Sequence, residues 1–102
     1  MEQVINIMNM RNVRPSEPYD FRVDRASPLG NPFRMSNESQ RDIVCDKYKE
    51  WIDTQILKKD PSILSELTSI RGALDIYKEV RLFCWCTPKR CHAETIKHIL
   101  ES

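Results

Sequence analysis

Apolar and polar positions fall into segments of two different periods along the chain. Tyr19, Phe21 and Val23 alternate with Asp20, Arg22 and Asp24, the two-residue period of a half-buried strand ending near Arg25. Val4 to Met8 opens with β-branched residues and predicts an earlier short strand, while Arg11 to Pro18 has no period and reads as a loop. Val44, Tyr48, Trp51, Ile52 and Ile56 recur at three and four residues, leaving Asp42, Asp46, Lys49, Glu50 and Asp53 for the wet side of an amphipathic helix. Ser39-Gln40-Arg41-Asp42, a hydroxyl followed three residues later by a carboxylate, has the form of a capping box and sets that helix's start. Lys58-Lys59 closes it. Asp60-Pro61 then supplies an N-cap and a first-turn proline for a second helix, carried by Ile63, Leu67, Ile70 and Leu74. Gly72 is tolerated there at about 1 kcal/mol relative to alanine. Val80 to Cys86 is a nearly unbroken apolar run, suited to a strand buried on both faces, and Thr87-Pro88 ends it. From Cys91 or His92 onward, Ala93, Ile96, Ile99 and Leu100 predict a last helix.

The order β-β-α-α-β-α predicts an α/β fold: a single compact, Rossmann-like domain over residues 1–102, with a small, mainly parallel sheet and covering helices. Its 102 residues are 40% apolar and 30% charged with 2 Gly and 6 Pro, which fits one globular core and excludes collagenous, low-complexity and disordered chains. There is no run of apolar residues long enough for a membrane helix, and Met1 to Met10 lacks the charged and apolar regions of a signal peptide. A cytoplasmic protein without membrane partners is therefore expected. In that reducing setting the four cysteines are thiols or metal ligands, and Cys84, Cys86 and Cys91 crowd together awkwardly for disulfides.

Sixteen Lys plus Arg against fifteen Asp plus Glu give a formal charge of +1, so the chain has no general basic field for long nucleic acids. The distribution is uneven. Arg11, Arg14, Arg22, Arg25, Arg34 and Arg41 all precede the first lysine, Lys47. Arginine is the residue for bidentate recognition of phosphate or carboxylate, so the asymmetry points to a local anion site.

Two clusters carry candidate chemistry. The first is Cys84-Trp85-Cys86-Thr87-Pro88-Lys89-Arg90-Cys91-His92, where a strand turns into a helix N-terminus. Open α/β sheets bind ligands at that position, and free N–H groups there attract phosphate. One reading makes Cys91 a low-pKa thiolate beside Lys89, Arg90 and His92, with Cys91 and His92 as a catalytic pair. A second makes Cys84, Cys86, Cys91 and His92 zinc ligands, although the adjacent Cys91-His92 pair lacks the two-knuckle spacing of common zinc sites. No cofactor is predicted, and zinc stays as the alternative. Cys84 and Cys45 also read as small core residues. Cys84 to Arg90 has the Cys, five residues, Arg spacing of a phosphatase loop, without the glycines that such a loop needs.

The second cluster is Arg22, Asp24, Arg25, Ser27, Gly30 and Asn31, with Arg41 on the following helix. The arginines would grip a phosphate or carboxylate while Asp24 and Asn31 read hydroxyls or a base edge. Two prolines and a glycine stiffen this loop beyond the needs of a connector. The plain alternative is a surface loop with weak Arg22–Asp20 and Arg25–Asp24 pairs. Trp51 and Trp85 occupy apolar positions and read as core rather than as base-stacking platforms, and His98 reads as a surface residue.

The string Val23-Asp24-Arg25-Ala26-Ser27-Pro28-Leu29-Gly30-Asn31-Pro32-Phe33, then Arg41 opening a helix with Tyr48 and Trp51, then Cys84-Trp85-Cys86 through Cys91-His92-Ala93-Glu94, resembles domain of unknown function 4326. The resemblance runs from about Val4 to Leu100. It implies a compact α/β fold in phage and bacterial proteins, in which Arg25, Gly30, Asn31, Pro32 and Phe33 meet Cys86, Pro88, Cys91 and His92. The strand-then-Cys-His ending is also similar to a Rossmann-like family with a Cys-His-Arg signature. Ala93 follows His92 here, so that arginine's role does not carry over.

These readings favour a site for a small anionic ligand or nucleotide between the Arg25-to-Phe33 loop and the Cys86-to-His92 turn, extending to a nucleotide-processing enzyme. Two functions compete with it. One is a non-catalytic phage protein that binds or inhibits a host protein in the host cytoplasm. The other is a zinc-stabilised nucleic-acid-binding module.

Overall fold

The computed structural model, which describes residues 2–87 and 89–101, sets Val4–Asn9 (β1), Asp20–Arg22 (β2) and Glu79–Cys84 (β3) side by side in one sheet. The strand order is β1-β3-β2 and both pairings are parallel. Ile5 lies opposite Val80, Asn9 opposite Cys84, and Phe21 opposite Leu82. As the last strand in sequence but the middle one in space, β3 buries Val80, Leu82, Phe83 and Cys84, its apolar series interrupted by the half-buried Arg81. Three helices follow the pattern of periodic positions: Arg41–Leu57 (α1), Pro61–Tyr77 (α2) and Ala93–Glu101 (α3).

Val80, Leu82 and Cys84, on one face of β3, form a single core with Tyr48 and Ile52 of α1, Ile63, Leu67, Ile70 and Leu74 of α2, and Ala93, Ile96 and Leu100 of α3. Phe83 points the other way and is fully buried outside that core. The Arg81 guanidinium lies 5.5 Å from the Phe83 ring and 5.5 Å from that of Tyr19, and pairs with the buried carboxylate of Asp20 at 2.6 Å. The helices thus share one cluster on one sheet face, and the likeness to a doubly wound Rossmann sheet extends only to the parallel strands. No helix among the described residues is long and apolar enough to cross a membrane.

Three local expectations are corrected. Cys84, not Cys86, ends β3, because its neighbours end there: Met10 donates its N–H to the Cys84 carbonyl at 2.9 Å. The Asn9 amide then takes over, donating to the Thr87 carbonyl at 2.7 Å and that of Trp85 at 3.4 Å. Released from the strand, Trp85 is 41% exposed instead of joining the core, while Trp51 is half-buried against Tyr48 as expected. Pro88 lies outside the described residues. Next, β2 is three residues long and stops at Arg22, since the Asp24 carbonyl turns to accept the N–H of Ser27 at 2.9 Å. Last, the Ser39–Asp42 capping box does not form. Asn37 caps a short 3₁₀ turn, Glu38–Gln40, that leads into α1, accepting the Ser39 N–H at 3.0 Å, and the Ser39 hydroxyl also bonds Asn37. The start of α2 does match: Asp60 accepts the Ile63 N–H at 3.1 Å, with Pro61 in the first turn.

The two helix starts give a paired test. Asp60→Ala should cost about 1 kcal/mol in denaturant unfolding, the usual loss of a side-chain cap, whereas Ser39→Ala should stay within about 0.5 kcal/mol. Equal losses would contradict the assignment of these caps.

Candidate functional site

The carboxyl ends of all three strands face the same end of the sheet, and the segments leaving β2 and β3 meet there. The loop after β2 is held rigid from within. Ser27 Oγ accepts the Leu29 N–H, the Ser27 carbonyl accepts the Gly30 N–H, and Asn31 Oδ1 accepts the Phe33 N–H. Arg25 reaches across its base, donating Nε to the Asn31 carbonyl at 3.2 Å and Nη2 to that of Phe33 at 3.4 Å. At Gly30 a Cβ would fall 2.4 Å from the Asp24 carbonyl oxygen, so the close approach of the two backbone segments admits only glycine.

Two buried groups fasten this loop to the rest of the protein. The Tyr48 hydroxyl of α1 donates to the Leu29 carbonyl at 2.7 Å. His92, at the head of α3, bonds through Nε2 to the Val23 carbonyl. A carbonyl only accepts, so Nε2 carries the proton and Nδ1 presents its lone pair toward Cys91 Sγ at 3.8 Å. Burial holds the His92 pKa below its ordinary value against the pull of the Val23 bond, and the ring packs edge-on to Tyr48 with centroids 5.0 Å apart. His92 is thus neutral and engaged on its Nε2 side.

Between the loop and the 86–92 turn lies a cavity of about 370 Å³. Asp24, Arg25 and Asn31 reach it from the loop, and Cys86, Cys91 and His92 from the turn. Arg41 also faces it, from the first residue of α1. Phe33, Met35, Val44 and Trp85 make its apolar walls, with Cys45 and Arg90 completing them. The predicted residues Arg22, Ser27 and Gly30 stand outside the lining and shape it indirectly. Arg22 is spent on both carboxylate oxygens of Asp24, and Oδ2 also takes the Trp85 indole N–H at 2.9 Å. Burial raises the Asp24 pKa, but the bonds from Arg22 and Trp85 outweigh it and leave the carboxyl below its ordinary value, ionised and internally satisfied. Neither surface pair of the plain reading forms, since Asp20 pairs with Arg81 and Asp24 with Arg22.

A family model described as a domain of unknown function, DUF4326, matches residues 5–102. The chain belongs to this family. No curated protein and no solved structure matches it.

In this DUF4326 chain all four cysteines are free. Cys91 opens α3 in a way the sequence analysis missed: its sulfur accepts the Ala93 N–H at 3.4 Å while Glu94 accepts the Cys91 N–H at 2.9 Å. This is a capping box with a thiol in place of the hydroxyl, legible as Cys91-His92-Ala93-Glu94 once cysteine is admitted as a cap. Cys91 also hydrogen-bonds Cys84 and Cys86, and those bonds together with burial raise its pKa. The expectation of a Cys91 thiolate is therefore corrected. Cys86 is the anionic sulfur: the Cys91 thiol donates to it and the Arg41 guanidinium adjoins it, bringing its pKa down to about 5 in spite of burial. Cys84 is drawn down by the same donor, but Cys91 has one proton to give, and Arg41 decides the choice for Cys86. Among the described residues no group of three or more His, Cys, Asp or Glu side chains is disposed to hold a metal ion.

Alkylation of Cys86 by iodoacetamide, followed by peptide mass spectrometry, reads this charge directly. Only the thiolate reacts, so the rate rises as pH rises through the pKa, with half-maximum near pH 5. In Arg41→Gln the midpoint should move up by about one pH unit or more. A wild-type midpoint at the ordinary thiol value of about 8.5 would contradict the arrangement.

Proposed function

We propose that the cavity binds a small anionic ligand of the nucleotide class. The observation that carries this reading is the convergence of two loops more than fifty residues apart on one pocket, with Arg25 at its edge. Among the described residues the hydrogen bonds of Arg25 go to backbone carbonyls and to no carboxylate, so its charge is not neutralised. Arg90, by contrast, is paired with Asp42 and Asp46, and Arg41 with Glu38. A volume of about 370 Å³ is in the usual range of small-molecule sites, and the Phe33 and Trp85 rings offer planar apolar surface for a base. In this reading Arg25 receives the phosphate or carboxylate, and Asn31 orients the ligand. Cys86 takes the nucleophile's role first assigned to Cys91, with Cys91 and His92 as positioning residues. A reducing cytoplasm is the setting in which four free thiols persist.

A second reading has a specific observation in its favour. Arg22, Asp24, Tyr48 and His92 spend their polar groups on the protein itself. That pattern suits a chain whose motifs maintain the fold while another surface binds a partner protein, such as a host protein in the phage setting.

Calorimetry against a panel of nucleotides and nucleotide sugars separates the two. Wild type should give a saturable heat with at least one member, and Arg25→Ala, with an unchanged circular dichroism spectrum, should weaken it by roughly 10- to 100-fold, the range for a hydrogen bond to a charged group. Absence of saturable binding across the panel would refute the nucleotide reading and leave the partner-protein reading.

A further inference from the structure

We propose that Cys86 and Cys91 form a peroxide-reactive dithiol in which Cys86 is the attacking sulfur and Cys91 the resolving one. The pair is built by the fold. Both line the cavity, Cys86 half-buried and open to a small oxidant, Cys91 buried and hydrogen-bonded to it. Of the residues between them, Lys89 donates its N–H to the Cys86 carbonyl at 2.9 Å, the Arg90 carbonyl accepts from Arg41 Nη1 at 2.9 Å, and the Arg90 side chain is anchored on Asp42 and Asp46. Crowding that looked awkward in sequence therefore becomes two hydrogen-bonded thiol groups on the lining of one cavity. The groups facing Cys86 are Arg41 and Cys45 from α1, Cys84 from β3, and Cys91 and His92 from the head of α3. Arg41 is the lone fixed cation among them. Its position favours the thiolate that initiates the reaction. Cys84 is fully buried and stands outside the cavity lining, and Cys45 is kept protonated by its burial.

The chemistry balances with a peroxide as the oxidant. The Cys86 thiolate attacks one peroxide oxygen, the O–O bond breaks, and the departing hydroxide or alkoxide takes a proton from water, leaving Cys86 as the sulfenic acid. The Cys91 sulfur then attacks Cys86 Sγ, and its thiol proton leaves with the hydroxyl as water while the S–S bond forms. Two electrons pass from the two sulfurs to the peroxide. Bond formation also takes the Cys91 sulfur from the Ala93 N–H and the Cys86 charge from Arg41. The reaction requires no bound nucleotide, so its failure leaves the ligand reading untouched.

The test treats fully reduced wild-type protein with one equivalent of hydrogen peroxide, blocks remaining thiols, and maps peptides without reduction. The expected product is a Cys86–Cys91 bridge, two hydrogens lighter than the dithiol, with Cys45 and Cys84 blocked. Cys91→Ser should stop at a Cys86 sulfenic acid that dimedone traps, and Cys84→Ser should still form the bridge. A bridge through Cys84 or Cys45, or wild-type Cys86 passing to sulfinic acid with Cys91 still free, would overturn the proposal. Because the wild-type map is decisive alone, poor folding of a variant does not weaken the test.

Discussion

The hydrogen bond from His92 Nε2–H to the Val23 carbonyl joins the end of β2 to the start of α3, two segments separated by most of the chain. A backbone carbonyl left without a donor in this buried place would cost on the order of 1–3 kcal/mol, so the bond is a condition of bringing the two loops together. Much of the local arrangement follows from it. The imidazole is fixed in one tautomer and packs on Tyr48, whose hydroxyl holds the Leu29 carbonyl of the same loop. With His92 in place, Cys91 sits at the cap of α3 and its thiol proton points back toward Cys84 and Cys86.

From this clamp outward the polar groups divide into two kinds. Arg22, Asp24 and the Trp85 indole satisfy one another, and the Tyr48 hydroxyl and His92 Nε2–H are committed to backbone carbonyls. Such closed networks stiffen a site without contacting a ligand. Arg25 and Cys86 differ. Among the described residues the first carries a positive charge held by carbonyl oxygens, and the second a negative charge held by a guanidinium and a thiol. They face the same cavity, so a cationic and an anionic side chain lie within one small volume.

Much of this was legible in the sequence because it rests on periodicity and local caps. The Ile63, Leu67, Ile70 and Leu74 spacing and the Asp60-Pro61 start of α2 depend on neighbours within a turn, and the apolar run of β3 directly reports its central place in a parallel sheet. The two candidate clusters were also legible as residue types that ordinary connectors do not collect. What the sequence could not show was set by contacts across the fold. Trp85 leaves the core because Asn9 captures the carbonyls that follow β3, and no local pattern announces that. The thiolate shifts from Cys91 to Cys86 because Arg41 arrives from α1, forty-five residues away. Glu94 was within reach of sequence reasoning, but only with cysteine read as a helix cap.

The claim that a neutral His92, donating from Nε2, clamps the two loops into one site is tested most directly by the nitrogen resonances of the His92 imidazole followed by NMR through a pH titration. The account predicts a protonated Nε2 and an unprotonated Nδ1, with the neutral ring persisting as pH falls below about 6.5, the ordinary histidine value. An Nδ1–H tautomer, or a ring that titrates like a solvent-exposed histidine, would contradict it.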